Sequence, residues 1–148
     1  MFKKNGFTLV ELVVVIGIIS ILSMVVLFSV TQYINKSKDA NLMGNLAVLV
    51  SSGEVYYNSD ESYDEFCESS VVANAILQSP ENADGSCTTE INVAGICCIE
   101  SSGNDMWAAC ARLFSDDTKA YCVDSRGVKK KITNEQCVAI NPTSAKCP

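Results

Sequence analysis

From Leu12 to Val30 the chain runs 19 residues without a charged side chain, and no other feature restricts its fold so strongly. An apolar run of this length crosses the roughly 30 Å hydrocarbon layer of a bilayer as one helix. Gly17 and the many valines and isoleucines weaken a helix in water. Lipid offers no competing hydrogen-bond partner, so the helix prevails there. The start resembles a secretory signal peptide, with Lys3 and Lys4 ahead of the apolar stretch. The run exceeds the roughly 7–15 residues of a signal core, however, and no small-residue cleavage site closes it. It is therefore expected to persist as a membrane helix. Lys3 and Lys4 stay cytoplasmic, and the chain beyond the helix is exported.

Beyond Val30 the sequence turns polar with no proline before Pro80, and the helix is expected to continue to about Asn58. Leu42, Leu46, Leu49 and Tyr56 or Tyr57 fall on one stripe of an amphipathic helix, with Lys36, Lys38, Asp39 and Asn45 facing water. Gly44 and Gly53 each cost about 1 kcal/mol against alanine. A helix from Phe7 to Asn58 would be roughly 75–80 Å long, a rod no compact domain needs. The expected organisation is residues 1–6 as a leader, 7–33 as the membrane half of the helix, 34–58 as its amphipathic half and 59–148 as a globular head.

In the head, NSDESYDEFCESS reads as loop, VVANAIL as a short helix or strand and SPENADGSCTTE as loop. INVAGICCIE, MWAACARLF and KAYCVDS read as three antiparallel strands joined by short turns. A basic stretch, with a turn at Arg126-Gly127 followed by Lys129–Lys131, and a Cys137–Cys147 loop complete the chain. Trp107 reads as core, and Tyr56 and Tyr57 as the seam between helix and sheet. The fold class is α+β.

The chain has 17 acidic against 11 basic residues and no histidine. The acidic balance disfavours broad nucleic-acid affinity. The missing histidine removes the commonest neutral-pH base and the commonest zinc ligand, so catalysis is not expected. Eight cysteines, Cys67, Cys87, Cys97, Cys98, Cys110, Cys122, Cys137 and Cys147, lie on the exported side. An even number in an oxidising space points to disulfides, and no paired CxxC spacing supports zinc. Cys97 and Cys98 point to opposite faces of a strand and need different partners. Cys110 or Cys122 is a candidate cross-strand partner for one of them, and Cys67–Cys87 and Cys137–Cys147 are local choices among 105 possible pairings. A redox role for the adjacent pair lacks a CxxC. Asp116, Asp117 and Asp124 are a weak calcium candidate without EF-hand spacing, and no cofactor is expected. Lys129, Lys130 and Lys131 form a basic run that reads as a solvated turn, or as a handle for an anion, DNA or a neighbouring subunit.

Gly6-Phe7-Thr8-Leu9-Val10-Glu11, preceded by lysines and followed by an apolar helix, resembles the type IV prepilin signature. The resemblance covers about the first 30 residues. It implies a lollipop fold, with a long N-terminal helix packed on an antiparallel sheet. It also implies cleavage after Gly6 by a prepilin peptidase, N-methylation of Phe7, and helices bundled at the centre of a filament. Gly6 lets an extended backbone enter a protease cleft. Glu11 costs about 2.5–3.5 kcal/mol at the bilayer centre and less near its edge, so it calls for a partner. The new Phe7 amine of a neighbouring subunit would supply one and penalise wrong stagger. The alternative is that Glu11 merely favours the positive end of its own helix. Many major pilins carry a proline at the position of Phe28, and its absence here shifts weight toward pseudopilins or minor pilins.

These readings converge on a structural filament subunit handled by pilus or secretion machinery, sitting in membrane lipid before assembly and in a homo-oligomeric filament after it. A pseudopilin for secretion or competence and a monomeric membrane-anchored binding module are the alternatives.

Overall fold

The computed structural model describes residues 7–76, 92–93 and 96–148. Helix α1 spans Leu9–Asp60. A short 3-10 turn at Phe66–Glu68 and helix α2 at Ser70–Ile76 come next. Strands β1 (Asn92–Val93), β2 (Ile96–Glu100), β3 (Trp107–Arg112), β4 (Lys119–Asp124) and β5 (Lys129–Thr133) then lead to helix α3 at Asn134–Val138. The chain divides into two compact units between Asn35 and Lys36.

In the first unit the large apolar side chains described from Phe7 to Val30 are exposed, on a helix long and apolar enough to cross a membrane. Ser20, Ser23 and Ser29 donate their hydroxyls to the carbonyls of Ile16, Ile19 and Val25. Polar side chains are thereby satisfied within the helix, as lipid demands.

The second unit is an α+β head. Its antiparallel sheet has the strand order β1-β2-β3-β4-β5, so each strand pairs with its sequence neighbour. Strand alternation sorts the side chains onto two faces. Cys98, Trp107, Ala109, Ala111 and Val123 share a core with Leu42, Leu46 and Leu49 of α1. The alanines are small enough to admit the leucines. Gly53 meets the sheet most closely: a Cβ there would lie 2.6 Å from Trp107 Nε1. Its helix-weakening backbone is thus the condition for burying the indole. On the opposite face, Ile99, Cys110, Cys122 and Ile132 pack with Cys137, Ile140 and Cys147 of the C-terminal segment.

Several expectations are corrected. Asp39 does not face water but is buried, accepting the backbone N–H of Phe114 at 2.6 Å and the Ser115 hydroxyl, which ties α1 to the β3–β4 loop. Asn45 is half-buried, with an Nδ2 that has no hydrogen-bond partner among the described residues. Lys129–Lys131 form no turn but most of β5, in register with β4 through Val123↔Lys129 and Tyr121↔Lys131. The turn lies just before them, at the expected Arg126-Gly127, where Gly127 takes φ 79°. Helix α3, started by a capping box between Thr133 and Gln136, precedes the expected C-terminal loop and runs into its first residues, Cys137 and Val138.

The cysteine pairing also departs from expectation. Cys67 bonds Cys98, Cys110 bonds Cys137, and Cys122 bonds Cys147. Cys110 and Cys122 are direct neighbours in the β3–β4 ladder and point to the same face, so each reaches down to the C-terminal segment instead of across to β2. Cys137 and Cys147 are consequently bound to the sheet and not to each other, and Cys67 turns to β2 and not to Cys87. Cys87 and the side chain of Cys97 lie outside the described residues.

Candidate processing and assembly site

Helix α1 begins with a reciprocal hydrogen-bond pair. Thr8 donates its backbone N–H to Glu11 Oε2 at 2.9 Å, and Glu11 donates its backbone N–H to Thr8 Oγ1 at 3.3 Å. The Thr8 hydroxyl also donates to Oε2 at 2.7 Å. This is a capping box, in which two of the four orphaned N–H groups of a helix start are satisfied. Both Thr8 bonds fall on Oε2, leaving Oε1 without a hydrogen bond among the described residues. Thr8 is a site residue that the motif reading does not single out, although Thr8-Leu9-Val10-Glu11 ahead of an apolar run is the pattern that announces such a cap. Glu11 therefore holds its own helix start and still has an oxygen to offer. Phe7, one residue before the cap, is 83% exposed. Gly6 lies outside the described residues.

Leu9–Leu27 presents apolar side chains to its surroundings on every side of the helix. A surface of this extent on a single chain marks lipid or protein contact. Gly17 has open space where a side chain would stand.

The acidic candidates in the head do not form a cation site. Asp124 is fully buried; it accepts N–H bonds from Arg126, Val128 and Cys147 and an ion pair from Arg126 at 2.5 Å. Its role is to hold the β4–β5 turn and the chain end together. Asp116 caps its own turn, with bonds from Thr118 and an ion pair to Lys119 at 3.0 Å. The Thr118 hydrogen bonds, then Lys119, hold its carboxyl down at about 2. Among the described residues no group of three acids or cysteines is arranged around a metal position.

Glu100 differs. Burial pushes its carboxyl above the usual carboxylate range, against the pull of the Cys67 N–H, which it accepts at 2.6 Å. The nearby charges of Asp64 and Glu68 add to the rise. Cys67, whose N–H Glu100 accepts, follows Phe66, which packs against Trp107 with rings tilted at 4.9 Å and meets Tyr56 edge-on at 5.3 Å. Trp107 and Tyr56 thus occupy the core and the helix–sheet seam.

Comparison with known proteins places these features in context. The family model for the prokaryotic N-terminal methylation motif matches residues 1–27. The type IV major pilin protein PilA of Myxococcus xanthus (strain DK1622) is 26% identical over 163 aligned residues, covering 99% of this chain and 69% of that protein. No solved structure matches the chain.

Proposed function

We propose that this chain is the structural subunit of a pilus-type filament, a reading supported by its match to the N-terminal methylation motif and its likeness to a type IV major pilin. It enters the cytoplasmic membrane as a precursor. A prepilin peptidase removes residues 1–6, Phe7 is N-methylated, and the subunits polymerise through α1 into a surface filament. The observation that carries this reading is the N-terminal stretch of α1: an exposed apolar helix with Glu11 as its one acid, capped on Oε2 and open on Oε1.

Cleavage before Phe7 creates a positive amine. In a staggered bundle, Glu11 Oε1 of one subunit accepts from the Phe7 amine of the next while Thr8 keeps Oε2. Lipid surrounds the helix before assembly, and neighbouring helices replace that lipid afterwards. The two charges offset each other's desolvation when paired and penalise a stagger that separates them. The likeness to a major pilin along nearly the whole chain favours a pilus over a secretion pseudopilin, despite Phe28 standing where a proline is common.

Mass measurement of the mature N-terminus tests the reading. A start at Phe7 with one added methyl group is expected; a chain that begins at Met1 in the assembled material would overturn it.

A further inference from the structure

Charge in the head is sorted by position. No lysine or arginine occurs from Asp39 to Ala111, a stretch that holds most of the acids. Five of these acids, Asp60, Glu61, Asp64, Glu65 and Glu68, cluster where α1 ends, and all five are exposed. The segment is held in place rather than loose: the Cys67–Cys98 disulfide ties it to β2, Asn104 donates to Asp64 Oδ1 at 2.8 Å, and Tyr63 donates its N–H to the Asn104 carbonyl.

The lysines of the sheet lie toward its other edge. Arg126 and Lys119 are already paired with Asp124 and Asp116. Lys129, Lys130 and Lys131 are exposed and have no ion pair among the described residues. They occupy β5, the last strand in the order β1-β2-β3-β4-β5. Lys129 and Lys131 share a face with Val123 and Tyr121. The helix layer that buries Val123 leaves these lysines open. The acidic turn lies at β2 and the lysines three strands away at β5, roughly 14 Å across the sheet at the usual strand spacing.

We propose that the β5 lysines of one subunit dock on the acidic Asp60–Glu68 turn of the next, a head-to-head contact between copies of this chain that rests on the filament reading above. The two surfaces are different and stand three strands apart across the sheet, so the contact is heterologous. Repeated without closure, such a contact generates an open helical filament instead of a closed ring. Like surfaces repel, acid against acid and lysine against lysine, so the charges also reject in-register packing of neighbours. Lysines on a terminal strand discourage another strand from adding to the sheet, which keeps the contact one of side chains.

Zero-length carbodiimide coupling joins a lysine to a carboxylate only when they touch. Filaments sheared from cells expressing a mixture of isotopically light and heavy full-length chain should yield mixed-label peptides joining residues 129–131 to residues 60–68. Intact filaments whose coupled peptides are all of one label, or lack this pair, would overturn the contact while leaving the filament reading in place. Failure of the unmodified chain to form filaments would remove both. Independently, Lys129→Glu, Lys130→Glu and Lys131→Glu together should lower filament yield about tenfold at low salt, with leader removal unchanged. Adding Asp60→Lys, Glu61→Lys and Glu68→Lys, which spares the Asp64 tie to Asn104, should restore it. Normal yield from the first variant, or no recovery in the second, would refute the proposal.

Discussion

At the scale of single residues, the head depends on two positions whose roles only contact reveals. Gly53 gives up helix propensity so that Trp107 can lie against the helix, and a Cβ there would stand 2.6 Å from the indole nitrogen. Gly53→Ala should therefore destabilise the head by about 1–3 kcal/mol through overpacking, although alanine favours helix. Trp107 is the sole tryptophan, so its fluorescence during urea unfolding of the full chain in detergent reports this directly. An unchanged midpoint would show that the indole can move aside at no cost. Asp39→Ala removes the acceptor for Phe114 and Ser115 and should cost about 1–3 kcal/mol by the same measurement. Asp116 supplies a pH signature. Its folded carboxyl titrates at about 2 against an ordinary 3.8, so its contribution is fully present above 3.8 and is lost as pH falls through 2. Asp116→Asn should be less stable than the parent at neutral pH, and the difference should vanish toward pH 2. A gap that persists there would assign the effect to something other than the carboxylate's charge.

At the scale of elements, the C-terminal segment owes its place to covalent bonds more than to its own helix. Helix α3 has five residues, too few to be stable by itself. Two disulfides, closing separations of 27 and 25 residues, and the N–H of Cys147 on Asp124 hold the segment against the sheet. Each disulfide should contribute roughly 3–4 kcal/mol on the chain-entropy account. Replacing Cys137 and Cys147 by serine should make residues 134–148 the first site of proteolysis while β2–β4 stay protected. Simultaneous loss of the whole head would show that the clamp is part of the core. The strands β2, β3 and β4 are legible from their alternation and the turns between them. β5 is not, because three lysines in a row carry no apolar period, and its pairing comes from the turn at Gly127 and the ladder with β4.

At the scale of the molecule, the proposed filament turns on Glu11. Glu11→Ala should leave membrane insertion and leader cleavage intact but sharply reduce filament yield, as quantified from sheared surface material; wild-type yield would end the charge-pairing account. Thr8→Ala separates the two functions of the carboxylate. It removes the cap, at about 1 kcal/mol of helix stability, yet leaves Glu11 charged, so filament yield should fall far less than in Glu11→Ala.

The sequence by itself determined the membrane-length helix, the cut-and-methylation signature, the α+β class and the meander of β2–β4. Each arises from a local pattern: an uncharged run, a short motif, or a period of two. Tertiary structure alone decided the three cysteine pairings among the described residues, the burial of Asp39, the need for glycine at position 53 and the placing of Lys129–Lys131 on the last strand. These depend on which residues meet after the chain has travelled around the sheet, and no spacing along the chain encodes that distance.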